Sequence, residues 1–344
     1  MSCHTAYAQS VCRRLALLSA GLAALATLLI ADLAVGASSI PPAEVIAALL
    51  DGPDAEGMSG IILWSIRLPM TTTSLFVGTA LALAGLQIQN LTGNALASPS
   101  TLGITSAASF GAALAITAGA TLFGELWIAT ALAALFSALL VSAFIYRLGS
   151  LRGMRPATLI LAGIVMNFFF MALQQFLQYQ ASPEVAQLIS GWTFGNLERS
   201  SWISSAAAGG TTLIASLLLV RRSWALTALT VGEERAKSLG VNVPALRIEV
   251  FFLSSLLIAT AVGFIGTVSF VGLVAPHCAK LIFGEDQRFL LPGTLLTGGV
   301  LMLASSVTAK ILSTGAMLPV GIITSLIGVP FLLALLIRDR GGQA

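Results

Sequence analysis

Charge is what this 344-residue chain has least of: Asp, Glu, Lys and Arg make up 9% of it, against 57% hydrophobic residues. That balance leaves too little polar surface to face water on all sides, which excludes a soluble globular protein and makes lipid the solvent for most of the chain. Cysteine is scarce too. Cys3, Cys12 and Cys278 show no metal-ligand spacing and fall on one side of the membrane in the topology below, so neither a disulfide nor a metal site is expected. HExxH, GxSxG and paired catalytic carboxylates are absent. The nearest thing to a phosphate-binding loop, Gly232 to Ser238, lacks the glycine before Lys237 and puts Glu233 and Glu234 where phosphate would lie. The chain is therefore expected to have no catalytic residue and no bound cofactor. If it transports actively, a partner supplies the energy.

What is present is a series of long apolar runs. A helix needs about 20 apolar residues to cross a ~30 Å hydrocarbon core, and ten such runs recur, at about 15–35, 68–90, 98–117, 125–146, 156–178, 202–220, 248–266, 268–283, 290–309 and 319–337. Helix is forced, because unpaired backbone groups are too costly in lipid and a barrel would show alternating ten-residue strands. The reading is all-α: one polytopic transmembrane domain over residues 1–344, with about ten spans and short tails at 1–14 and 338–344. Arg13 and Arg14, the first run and Val35-Gly36-Ala37 also resemble a secretory signal. The run is long for that role, and retention as the first span is expected.

Ten spans put both termini on one side and sort the seventeen basic residues. Fourteen fall on the terminal side: Arg13, Arg14, Arg147, Arg152, Arg155, Arg221, Arg222, Arg235, Lys237, Arg247, Lys280, Arg288, Arg338 and Arg340. Arg67, Arg199 and Lys310 are left outside. The positive-inside rule then makes both termini cytoplasmic, and Trp64, Trp127, Trp192, Trp202 and Trp224 all fall at span ends. The net charge of +3 reports this topology and not nucleic-acid binding.

An ion-coupled carrier needs ionisable ligands inside its helices, and none occupies a span centre. Asp32, Glu125 and Glu249 read as interfacial charges or caps near span ends, and His277 as a structural histidine. The longest cytoplasmic connection, 221–247, holds a short helix of about nine residues. Thr230 and Glu233 form a candidate capping box, and Gly240 a C-terminal stop. Such a helix is marginal alone. It packs on its own membrane domain or docks on a cytoplasmic energy-supplying subunit with Ala236 and Leu239 on the contacting face. The stretch "GNALASPSTLGITSAASFGAALA" is rich in small and hydroxyl residues. It suits close helix packing or a path wall, with Asn94, Ser98, Thr105 and Ser106 as the candidate path residues.

Eight stretches taken together resemble the FecCD-type permease subunits of ABC importers for iron-siderophores, haem and cobalamin. They are "RLP" at 67–69, "VGTALALAG" at 77–85, "NALASPSTLGIT" at 94–105, "GW" at 191, "GEERAKSLGV" at 232–241, "GFIGTVSFVGLVAPH" at 263–277, "RFLLPG" at 288–293 and "LPVGIITSLIGVPF" at 318–331. The resemblance implies a type II ABC importer permease fold in a bacterial inner membrane, paired with a second copy or a homologue. It implies two cytoplasmic ATPase subunits that use ATP and Mg, and a periplasmic substrate-binding protein. The cargo it implies is an iron chelate, a ferric siderophore first, with haem or cobalamin as alternatives. Arg67 and Lys310 then match docking cations for the binding protein, while Glu233, Ala236, Leu239 and Gly240 match an ATPase-coupling helix. Met70 replaces a second arginine of the family pattern, "NALA" replaces "NPLA" at Asn94, and Ser305 or Ser306 with Lys310 stand where the family has Asp and Arg.

Overall fold

In a computed structural model, residues 3–36, 38–53, 57–151, 155–313 and 317–340 are described. Ala37 of the cleavage-like motif and Arg152, one of the fourteen basic residues on the terminal side, lie outside the described residues.

Among the described residues the structure is helical, with no strand. Helices α1 (Cys3–Ala34), α2 (Pro42–Asp51) and α3 (Met58–Ile62) lead through a π-helical turn, Leu63–Arg67, into α4 (Leu68–Thr92). A short 3-10 turn, Pro99–Leu102, precedes α5 (Ile104–Thr117), and α6 (Leu126–Ser150), α7 (Pro156–Gln180), α8 (Pro183–Thr193) and α9 (Trp202–Arg221) follow. The connection to the last four long elements carries α10 (Ser223–Thr230) and α11 (Glu233–Ser238). The chain then closes with α12 (Val243–Ile265), α13 (Val271–Phe283), α14 (Gln287–Leu312) and α15 (Val320–Arg340).

Each of the ten apolar runs has its helix. Seven are long and apolar enough to cross a membrane, and α5, α13 and the first part of α15 are shorter apolar helices. At 1.5 Å per residue, the 14 residues of α5 and 13 of α13 fall short of the hydrocarbon thickness. Irregular segments flank both, the Pro99–Leu102 turn before α5 and residues 266–270 before α13. The short helices α2, α8, α10 and α11 are not spans.

The bundle is organised on α4, which packs against α14, α12, α9 and α13; every residue from Ala80 to Gln89 is buried. Glycine makes this possible. A Cβ on Gly85 would overlap the Gly272 carbonyl, and Cβ atoms on Gly78 and Gly298 would lie 2.6 Å and 2.5 Å from each other's carbonyl oxygens. Backbone therefore meets backbone between α4 and both α13 and α14, the close approach that small residues permit in a bilayer. At the periphery, α1 lies along α14, and α7 leaves Leu161, Phe168, Phe169 and Phe176 exposed.

Candidate functional site

Three places bring the functional candidates together. Where the end of α1, the start of α4 and the end of α14 meet, the Lys310 ammonium lies 2.8 Å from the Asp32 carboxylate, with side chains 6% and 0% exposed. Lys310 also donates to the Asp32 backbone carbonyl at 2.7 Å, and the Thr71 hydroxyl donates to Asp32 Oδ2 at 2.5 Å. Asp32 Oδ1 is buried without a hydrogen-bond partner. Arg67 is 5% exposed and donates to the carbonyls of Leu33 (2.6 Å), Ala34 (2.9 Å) and Ser38. Leu33 and Ala34 are last-turn acceptors of the kind a helix end leaves open, and Ser38 lies in the loop beyond, so Arg67 caps α1 and ties down the chain that leaves it. A cavity of about 590 Å³ opens beside the cluster, lined by Arg67, Met70, Glu198 and Lys310 among others.

This geometry corrects two expectations. Arg67 and Lys310 do meet on one end of the bundle, but neither presents a free cation: both charges are spent holding α1 to α4 and α14. Asp32 is not an interfacial charge; it is fully buried and paired. Arg199, the third outer cation, lies in a 3-10 turn, Leu197–Arg199, that follows α8.

The second place is a cavity of about 500 Å³ between the end of α8, the loop before α13 and the start of α15. Thr193, Thr267, Ser269 and Ser325 give it hydroxyls, Phe194, Leu326, Val329 and Pro330 give it apolar walls, and no ionisable side chain lines it. The Thr267 hydroxyl donates to the Thr193 carbonyl, and Gly321 and Val320 donate from their backbone to Phe194 and Gly195, which ties the three segments together. None of the expected path residues lines this cavity. Asn94 is exposed and accepts from the Leu96 N–H at 2.9 Å, forming a local turn. Ser98 caps the Pro99–Leu102 turn. Ser106 donates to Asn167 on α7, and Thr105 is buried with its hydroxyl unpartnered. Of the hydroxyls that do line it, Thr267 and Ser269 sit in "GFIGTVSF", Ser325 in "LPVGIITSL" and Thr193 directly after the "GW" at 191, stretches whose signal was a family signature and not a lining pattern.

The third place is the 221–247 connection. Its short helix is six residues, not nine, and the capping box does not form: Gly232 is the N-cap, and the Thr230 hydroxyl donates to the Thr227 carbonyl. Glu233 turns to Arg247 (2.9 Å) and Lys237 (3.0 Å). The C-terminal stop at Gly240 is present. At φ +83° its N–H donates to Lys237 and the Val241 N–H donates to Ala236, a Schellman closure with Ala236 and Val241 both buried. Ala236 therefore faces its own domain and is no contact for a partner, whereas Leu239 is 58% exposed at the tip. The Lys237 ammonium, then Arg247, hold the Glu233 carboxyl below its usual range, and Glu233 and Glu234 raise Lys237. Glu233 thus adds stability at neutral pH that is lost only as acid titrates it through its depressed pKa, and Lys237 adds stability lost only in strong base. The segment keeps its shape across the neutral range. Arg247→Ala should loosen it, measured as faster proteolysis at exposed Arg235 or Lys237 with the rest of the chain protected.

His277 on α13 packs edge-on against Phe331 of α15 at 5.8 Å, a structural role. Among the described residues no group of three His, Cys, Asp or Glu side chains is placed to hold a metal ion.

Comparison with known proteins gives this architecture its kin. The chain is 37% identical to a putative ABC transporter permease protein, MJ0087, of Methanocaldococcus jannaschii, over 81% of this chain and 82% of that one. It is 36% identical to the cobalamin import system permease protein BtuC of Halobacterium salinarum, over 83% and 75% of the two chains. A solved inward-facing structure of a putative metal-chelate type ABC transporter superimposes with a TM-score of 0.81 at 29% identity, covering 94% of this chain and 99% of that one. The profile of the FecCD transport family matches residues 24–338, so this bundle of apolar helices, built around a glycine-packed α4, belongs to the FecCD transport family of ABC importer permeases.

Proposed function

We propose that this permease carries a metal chelate, a ferric siderophore in the first instance, inward across a bacterial inner membrane with both termini cytoplasmic. It works as half of a transmembrane dimer with a second copy or a homologue. The observation that supports this most is the cavity of about 500 Å³ lined by Thr193, Thr267, Ser269 and Ser325 with no ionisable group. Scattered hydroxyls and apolar walls suit a bulky ligand, already satisfied by its own chelator, that must pass without being held. A naked ion would need ligands there.

In this reading two cytoplasmic ATPase subunits, using ATP and Mg, engage the 232–240 knob, and Leu239 and Glu234 are its exposed contacts. Glu233, Ala236 and Gly240 shape the knob from behind. A periplasmic binding protein delivers the chelate on the opposite face, near the cavity bordered by Arg67 and Lys310. Closing of the ATPases then drives the permease between outward-open and inward-open states, a rigid-body switch.

Uptake of radiolabelled iron as a siderophore, as haem, and of cobalamin, compared in cells with and without the chain, identifies the cargo. Loss of siderophore uptake alone is the expected result; loss confined to haem or cobalamin moves the assignment to that chelate. Ser325→Trp, which fills the cavity, should cut uptake at least tenfold while leaving the amount of protein in the membrane unchanged. Undiminished uptake would remove the cavity from the path. Leu239→Asp should leave the complex's basal ATPase in place and abolish its stimulation by loaded binding protein; normal stimulation would exclude the knob from coupling.

A further inference from the structure

We propose that the cleft between the Arg13 to Leu17 stretch of α1 and the end of α13 binds the phosphate of an anionic phospholipid headgroup. This cleft, of about 250 Å³, is lined by Arg13, Arg14, Leu17, Leu281, Ile282 and Gly284 among others. It lies beside Val11, where the first apolar span begins, and beside the end of α13 at Phe283 and the start of α14 at Gln287; the ends of apolar spans are where a chain meets lipid headgroups. Polar and apolar parts are layered as a lipid would require. Leu17 is one turn deeper than Arg13 on the same helical face, and Leu281 and Ile282 are 55% and 45% exposed beside it. Two guanidinium groups share the cleft with three aliphatic side chains, of which Leu281 and Ile282 are exposed and Leu17 packs partly against the core.

The charge at the rim is not cancelled. Arg14 lies 3.8 Å from Asp286 and over the Phe289 ring at 5.1 Å. Asp286 is itself bound closely by Arg288 at 2.9 Å. Lys280 donates to Gln89 at 2.9 Å on the neighbouring helix, and Glu285 is exposed. Arg13 is exposed, makes no ion pair with a carboxylate among the described residues, and belongs to a stretch with no acidic residue before Asp32. Counting Arg13, Arg14, Lys280 and Arg288 against Glu285 and Asp286 leaves the rim positive, and Arg13 is the member with no carboxylate to answer it. A guanidinium presents its donors in the fork that phosphate oxygens accept. Basic pockets between membrane helices at the headgroup level are where anionic lipids bind.

The test uses the full chain, purified and exchanged into mixed phosphatidylglycerol and phosphatidylcholine, with bound lipid counted by native mass spectrometry. The wild-type chain should retain phosphatidylglycerol over phosphatidylcholine. Arg13→Gln should lower that retention about fivefold, the factor that one basic side chain contributes near an anionic surface. Arg221→Gln removes an exposed arginine elsewhere, at the end of α9, and should leave retention unchanged. Unaltered retention in Arg13→Gln, or equal loss in both variants, overturns the site. Displacement of the lipid by millimolar glycerol phosphate shows a free-phosphate site instead and overturns the lipid assignment. The readout is independent of which chelate the permease carries.

Discussion

Lys310→Met should destabilise the chain by roughly 3–5 kcal/mol, the usual cost of removing one partner of a buried ion pair. Asp32 is 0% exposed and its Oδ1 already lacks a donor; without the ammonium 2.8 Å away, its charge keeps only the Thr71 hydroxyl and the more distant field of Arg67. The end of α1 then loses its tie to α14. Replacing both members by apolar side chains, Asp32→Leu with Lys310→Met, should recover most of the loss, because no charge is then left buried. Thermal unfolding of detergent-purified chains, read as a double-mutant cycle, measures the coupling. A Lys310→Met chain as stable as wild type, or a double variant no better than the single, would dispose of the clasp. The same logic governs tests of partner docking at this end. Arg67→Glu places a carboxylate among the carbonyls of Leu33, Ala34 and Ser38, so lost uptake in that variant reflects docking only if its stability and membrane content are first shown to be normal.

Gly85→Leu should be the most damaging single change in the membrane core. Any Cβ at this position overlaps the Gly272 carbonyl, and a backbone oxygen, unlike the tip of a flexible side chain, has no rotamer in which to move aside. Overpacking a well-filled core typically costs about 1–3 kcal/mol and occasionally more; here separating α4 from α13 would also disturb Gly272 against Leu81 and Pro99. The expected outcome is a sharp fall in membrane accumulation and a lowered unfolding midpoint. Gly210→Leu is the control, since α9 leaves open space around that glycine, and it should be nearly silent. Comparable accumulation of the two variants would mean that the α4–α13 contact does not limit folding.

Much of this could be read before any fold was known. Ten apolar runs became ten helices because hydrocarbon leaves the backbone no other way to satisfy itself, and run length and hydropathy are local properties. Arg67 and Lys310 meet at one end of the bundle, whereas Arg14 meets Asp286, and Lys280 meets Gln89, at the other. Gly240 was legible as a helix stop because a Schellman closure needs only a residue that tolerates positive φ and a nearby apolar pair.

The sequence by itself therefore determined the solvent, the secondary structure, the number of apolar helices and the family, all of which follow from composition, short-range pattern and motif order. Only the tertiary structure decided what the rare polar groups do. Asp32 and Lys310 are 278 residues apart, and nothing local distinguishes an acid facing headgroups from one buried against a lysine. The capping box failed for a related reason: Glu233 had Arg247, brought up by the first turns of α12, as a stronger partner than a backbone N–H. Ala236 turned inward because α11 packs on α12, and the path-like hydroxyls proved to be those that three distant segments bring around one cavity. In a chain with so few charges, the buried ones, Asp32, Lys310 and Arg67, are placed by long-range packing, which is where reading along the sequence stops.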